Sequence, residues 1–442
     1  MDHNRTSRRS FIALATATPI AATVLASCGD SGPGGSSSSD GATDWILTGA
    51  PKEQIRQGAV DDWNAAHEDQ QITTSAFQND AYKAKIKTAI GAGQAPTIIF
   101  GWGGGTLRNY AESSLVDDLT PWLTENPEVK DRLFDAAFAA GTVDDKVYGL
   151  PTETVQPLVF FYNKELFSQV GAEPPTTWDE LMALVPTFNA AGIAPISLGG
   201  QSRWTNMMWL EMLFDRIGGP ELFESIYNGT PNWTDPAAID ALTKVQDLVK
   251  ADGFIKGFAS ITADSNADQA LLYTGKAAMM LHGTWTYGGM KTDGGDFVSS
   301  GNLGYMNFPA VTGGKGDPTN TFGNPAQYVS ISSKATQAQK DIALAFFKDG
   351  LLQEKEAEAY ITEAGEVPVV KGIDAKFAGM DDEEWLKFTY DLATNAPSFA
   401  QSWDQALSPT EAETLLDNIE KLFGLAITPQ EFADNMNAAI GS

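Results

Sequence analysis

Two stretches of this chain set a tryptophan just beyond a short apolar run and a glycine turn. In Gly275–Met290, GKAAMMLHGTWTYGGM, the run Ala277–Leu281 sits between Gly275 and Gly283, and Trp285 follows. In the second, Pro96 introduces Thr97–Phe100, and Gly101-Trp102-Gly103-Gly104-Gly105 comes at once. Both runs are too short for a helix and read as buried strands. Small ligands sit beyond the carboxyl ends of strands in open α/β sheets, so each tryptophan has two readings: a ligand platform or a packed core residue. Other chemistries find little support. Three histidines (His3, His67, His282) and one cysteine (Cys28) leave few means for zinc sites, disulfides or histidine-dependent nucleophiles, and no metal or cofactor is expected. The GWGGG turn lacks both the Lys-Ser/Thr of a phosphate loop and the GxGxxG register of a dinucleotide site.

The elements that must carry these tryptophans alternate between strand and helix. Trp45–Thr48 reads as a strand, Glu53–Ala66 as a helix, Gln71–Phe77 as a strand, and Ala81–Ala92 as a helix closed by Gly93. This order predicts α/β architecture with a parallel sheet. Further on, Leu158–Tyr162, Ala194–Leu198, Leu303–Phe308 and Ala326–Ile331 read as strands. Thr177 with Glu180 forms a capping box, Pro236 follows Asp235 at a helix start, and Thr336 caps a helix to Lys348. Trp45, Trp63, Trp122 and Trp178 lie within helical or capping patterns and are expected to pack. His282, inside an apolar run, is expected to be a satisfied structural residue. The 442 residues suffice for two or three domains, and a formal charge of −28 argues against nucleic acid as a partner.

The N-terminus reads as an address. Arg5, Arg8 and Arg9 precede the alanine-rich apolar segment Phe11–Ala26, and small residues lead to Cys28, so residues 1–27 are expected to be an export signal. Ser7–Ile12 is similar to a twin-arginine motif, and Leu25–Cys28 resembles a lipobox, which implies lipidation of Cys28. Residues 28–43, rich in Ser and Gly, are expected to form a tether.

Several segments together carry a family resemblance. Asp80–Ile99 (DAYKAKIKTAIGAGQAPTII), Asp145–Pro151 (DKVYGLP), Phe161–Phe167 (FYNKELF), Pro174–Leu181 (PPTTWDEL) and Gly275–Trp285 resemble, in order and spacing, motifs of bacterial extracellular solute-binding proteins, specifically the sugar-binding branch serving ABC importers. The resemblance covers about residues 44–440. It implies a two-lobed periplasmic-binding-protein-like fold of type II, with hinge-linked lobes around a ligand cleft. One lobe would hold residues 44–155 and 309–352, the other 156–308 and 353–442. It implies a monomeric, lipid-anchored protein on the extracellular face of the cytoplasmic membrane. Such a protein passes a carbohydrate to permease subunits with a cytoplasmic ATPase and performs no catalysis.

By resemblance, Trp102, Trp285 and Trp403 would stack on sugar, and Glu153, Thr154 or Gln156 would reach the cleft from a crossover segment. Where maltodextrin-binding relatives carry an Asp-Arg pair, this chain has Gly105 and Thr106, and its W-G-G-G form is similar to proteins for xylobiose-like oligosaccharides. A pyranose offers C–H faces to a tryptophan and a hydroxyl rim to polar side chains. Gln78, Asn79, Arg203 beside Trp204, Asn324, and Asp404 are candidate rim partners, each with the alternative of a solvated loop residue. A secreted glycoside hydrolase is the rival reading. It needs two carboxylates across the cleft, and the pairs Asp117-Asp118, Asp144-Asp145 and Asp381-Asp382 read as turns or solvated faces.

Overall fold

The structure, a computed structural model, describes residues 41–440. The expected export segment, Cys28 and most of the tether lie outside the described residues. Residues 42 and 43, expected as tether, are instead strand: the Ala42 N–H donates to the Gln71 carbonyl at 2.9 Å, and Ala42 pairs in register with Ile72.

Strand β1 (Ala42–Leu47) lies between β2 (Ile72–Phe77) and β3 (Ile98–Gly101) and runs parallel to both. The connection from β1 to β2 is helix α1 (Lys52–Ala66), whose buried face carries Ile55, Ala59, Val60 and Trp63 at helical spacing. Helix α2 (Asn79–Gly91) connects β2 to β3 and buries Tyr82, Ile86 and Ile90. Helix α3 (Gly104–Glu112) begins directly after β3. A short ribbon of β4 (Thr142–Val143) and β5 (Lys146–Val147) precedes β6 (Leu150–Thr152).

The chain then leaves for a second sheet. Its centre is β7 (Gln156–Asn163), antiparallel to β9 (Ala277–Gly283), which is parallel in turn to β8 (Ala194–Ser197). Both faces of the sheet are covered, which is why β9 is buried along its whole length and reads as a continuous apolar run. The other edge of β7 is shared: β10 (Leu303–Met306) pairs with residues 160–163, and β11 (Thr321–Asn324) with residues 156 and 157. The chain returns to the first sheet as β12 (Gln327–Ile331) and to the second as β13 (Phe399–Gln401), which pairs with β11. Strand orders are β2-β1-β3-β12-β6 and β13-β11-β7-β9-β8, with β10 on β7.

Three expectations change. The first sheet is not wholly parallel, because β12 enters from the opposite lobe and runs antiparallel to β3 and β6. The expected return to the first lobe at residue 309 falls after Asn324 instead. Buried Arg216 explains the delay: its guanidinium donates to the carbonyls of Pro318 and Asn320 at 3.0 and 2.9 Å, tying this stretch to the second lobe. Residues beyond 352 do not belong wholly to the second lobe either. Glu354–Ala364 contributes to the core that holds α1, and the Phe134 N–H donates to the Val369 carbonyl at 3.0 Å. Among the described residues no helix is long and apolar enough to cross a membrane.

Candidate functional site

A cavity of about 200 Å³ lies where the two sheets face each other, lined by both lobes and by the segments that cross between them. From the first lobe come the end of β1, Lys52, the start of α2 and Trp102; from the second come Trp204, Asp264, Gln269, His282 and Trp285. Glu153, Gln156, Asn324 and Gln327 bring the crossovers to its wall.

Local geometry fixes both glycine-turn tryptophans. Trp102 follows the last residue of β3, and its ring meets Phe100 edge-on at 5.1 Å and Tyr82 at 6.2 Å. The Lys83 ammonium stands over the same ring at 4.9 Å. The glycines after Trp102 are required by close approach. A side chain on Gly104 would meet the Gln405 carbonyl at 2.3 Å, and one on Gly105 the Leu407 carbonyl at 2.0 Å. The second lobe's backbone thus leaves no room for a side chain at either glycine. Across the cavity, Trp285 folds back over Gly283, where a Cβ would fall 1.8 Å from the indole. Trp285, Trp204 and His282 form one aromatic cluster, with centroids 5.3 to 6.1 Å apart.

His282 is held internally: its Nδ1 accepts the Gly283 N–H at 3.0 Å, leaving Nε2 facing Asp268 Oδ2 at 3.2 Å. The crossover polar groups are also engaged. Gln156 Oε1 accepts from Asn324 Nδ2 and Gln327 Nε2, while its amide nitrogen donates to Glu366 at 3.1 Å. Glu153, at a positive φ of 57°, pairs with Lys52 at 2.9 Å. Burial alone would lower the Lys52 pKa, but Glu153 and Glu366 together hold it above the ordinary lysine value. Burial and the neighbouring Asp80 raise the Asp264 carboxyl, against the Asp80 N–H that it accepts. The cavity's carboxylates therefore have structural partners: Glu153 has Lys52, Asp404 has Lys83 at 3.2 Å, and Asp264 has the Asp80 N–H at 2.9 Å.

Gln78, Asn79, Trp102, Glu153, Gln156, Trp204, Trp285, Asn324 and Asp404 all line this cavity. Three expected residues do not. Trp403 is fully buried in the second lobe's core, stacked on Phe223 at 4.2 Å and 11° and edge-on to Phe214 and Trp233. The four-residue helix Trp403–Ala406 turns its first side chain inward, and Ser402, Asp404 and Gln405 reach the cavity instead. Thr154 is sealed in the crossover, its hydroxyl donating to Glu366. Arg203 points into an adjoining groove that shares Trp102, Trp204 and Asp404 with the cavity, and pairs there with Glu413 at 3.0 Å and Asp417 at 2.6 Å. Sequence reasoning missed Lys52, Lys83, Asp264 and Gln269, since no local pattern shows that these segments meet. Among the described residues no group of His, Cys, Asp and Glu could hold a metal ion.

Residues 48–359 match the family described as bacterial extracellular solute-binding protein. A probable sugar-binding periplasmic protein of Mesorhizobium japonicum is 28% identical over 229 residues, half of this chain and 52% of that protein. The chain spans about half the length, or less, of the first curated relatives it matches. A solved structure from work on xylan utilisation by the thermophilic bacterium Caldanaerobius polysaccharolyticus superposes with a TM-score of 0.82 at 31% identity, covering 91% of this chain and 100% of that one. A chitin oligosaccharide binding protein superposes with a TM-score of 0.81 at 26% identity, covering 90% and 97%.

Proposed function

Because this chain belongs to the bacterial extracellular solute-binding protein family, we propose that its interlobe cavity captures a short, neutral oligosaccharide and presents it to the permease of an ABC importer. The observation that carries this reading is the placement of Trp102 on one lobe and the Trp204–Trp285 pair on the other, around one cavity. Flat indoles on two walls suit the two C–H faces of a pyranose, and the polar side chains between them suit its hydroxyl rim. The xylan and chitin contexts of the similar structures support a β-linked ligand of xylobiose type. The engaged carboxylates favour capture over hydrolysis, which needs an acid and a base free to act on the bond. In this reading the protein acts as a monomer, exported and held at the outer face of the cytoplasmic membrane through a lipid on Cys28. Ligand shifts an existing equilibrium between the lobes towards closure, because only the closed form offers it contacts from both.

The test is calorimetry of the purified protein against xylobiose, chitobiose, maltose and their monosaccharides, with a reducing-end assay on the same mixtures. Saturable binding to at least one neutral sugar without turnover is expected. Turnover, or no binding across the panel, would overturn the reading.

A further inference from the structure

Helix α2 starts without a cap of its own. Its N-cap residue, Gln78, makes no side-chain cap hydrogen bond, so the N–H groups of the first turn need partners from elsewhere. One comes from across the cleft: the Asp80 N–H donates to Asp264 Oδ2 at 2.9 Å. Asp80 also reaches the second lobe through its own side chain: Oδ1 accepts the Trp204 indole N–H at 3.2 Å, and, within the first lobe, the Asn79 amide at 2.9 Å. One turn on, Lys83 reaches Asp404 at 3.2 Å while standing over Trp102. A single turn of the first lobe therefore makes three polar contacts with the second. Each is beside an aromatic of the cavity.

We propose that Asp80 and Asp264 are positioning residues: together they form a cap shared between the lobes that latches the closed cleft and fixes the Trp204 ring against Trp285. The shared cap exists only when the lobes meet. A carboxylate is the favoured partner for a helix N-terminus, and the Asp80 N–H would otherwise return to water. Opening breaks the Asp264 bond, the Trp204 bond and the Lys83 pair together, so the latch acts on ligand escape more than on encounter. Met207 and Met208, on the helix that Trp204 begins, also line the cavity, so a displaced Trp204 would disturb that wall beyond its own ring.

The inference rests on the sugar-binding reading for its ligand, and two measurements separate the two. Stopped-flow tryptophan fluorescence with xylobiose, or whichever panel sugar binds, compares wild type with Asp80→Ala, Asp80→Asn, Asp264→Ala and Asp264→Asn. The alanine variants should release sugar roughly tenfold faster with association changed less than about twofold. The asparagine variants keep an acceptor oxygen and should stay within about threefold of wild type. Equal release rates in alanine variants and wild type, or an equal loss in asparagine and alanine variants, would overturn the latch. Small-angle scattering needs no ligand: Asp80→Ala/Asp264→Ala should have a larger radius of gyration than Asp80→Asn/Asp264→Asn. If no sugar binds but this difference appears, the functional reading falls and the latch stands. If sugar binds and the radii are equal, the latch falls alone.

Discussion

At the scale of single residues, two tryptophans both expected to stack on sugar are placed differently. Trp285 is half-buried, with one part against Trp204 and His282 and another at the cavity. Covering about 100 Å² of a sugar face would give about 2 kcal/mol, so Trp285→Ala should weaken sugar binding roughly thirtyfold in calorimetry. Its melting temperature should fall less than that of a fully buried tryptophan variant, because Trp285 packs only partly buried against the edge of the second lobe's core. Trp403→Ala should behave in reverse. Its ring is stacked on Phe223 and enclosed by Phe214, Trp233 and Phe322, and its removal should cost about 3 to 5 kcal/mol of stability in urea unfolding. Trp403 lacks the glycine turn that precedes Trp285, and a four-residue helix has no period from which its inward direction could be read. What made Trp102 and Trp285 legible was punctuation: each comes one or two residues after a buried strand that ends in glycine, and both lie at the cavity wall. Lys52, Lys83, Asp264 and Gln269 carry no such mark, because their placement depends on which distant loops meet.

At the scale of elements, the strand-helix alternation, the Thr177 capping box, the Thr336 cap and the start of the helix at Pro236 were all legible, since each follows from local hydrogen bonding. The lobe boundary was not. Thr321–Asn324 is four residues within a glycine-rich stretch, and it stays with the second sheet through the reach of Arg216, a long-range effect. The helix Glu354–Ala359, which packs where the crossovers meet α1, allows a pH prediction. Burial, opposed by Arg56 and the Leu352 N–H, pushes the Glu356 carboxyl up to about 7. An unfolded glutamate titrates near 4.5, so between these values the folded state holds the proton that the unfolded state has lost. The stabilisation is complete below pH 4.5 and is lost as pH rises through about 7, by on the order of 3 kcal/mol. Glu356→Gln cannot ionise. Urea unfolding at pH 5 and pH 8 should therefore show a smaller drop for the variant than for wild type, and equal drops would remove Glu356 as the cause.

At the scale of the whole molecule, function depends on how closely two lobes can approach, and the glycines after Trp102 set that limit. Gly105 lies in the first turn of α3, with the Leu407 carbonyl of the second lobe only 2.0 Å from where a Cβ would stand. No real side chain fits that distance, and the atom in the way is backbone, which cannot swing aside. Within the first lobe alone, alanine is the better helix former by about 1 kcal/mol. Gly105→Ala should therefore leave each lobe intact, or slightly firmer, while holding the two apart. Scattering should show the variant remaining open at sugar concentrations that close the wild type. Its affinity should fall more than tenfold, although no group facing the cavity has changed. Thr106→Ala, one residue on, is the control, since it leaves that approach free. If Gly105→Ala closes and binds as wild type does, the lobes must have room to slide, and the glycine run would then serve only the turn after β3.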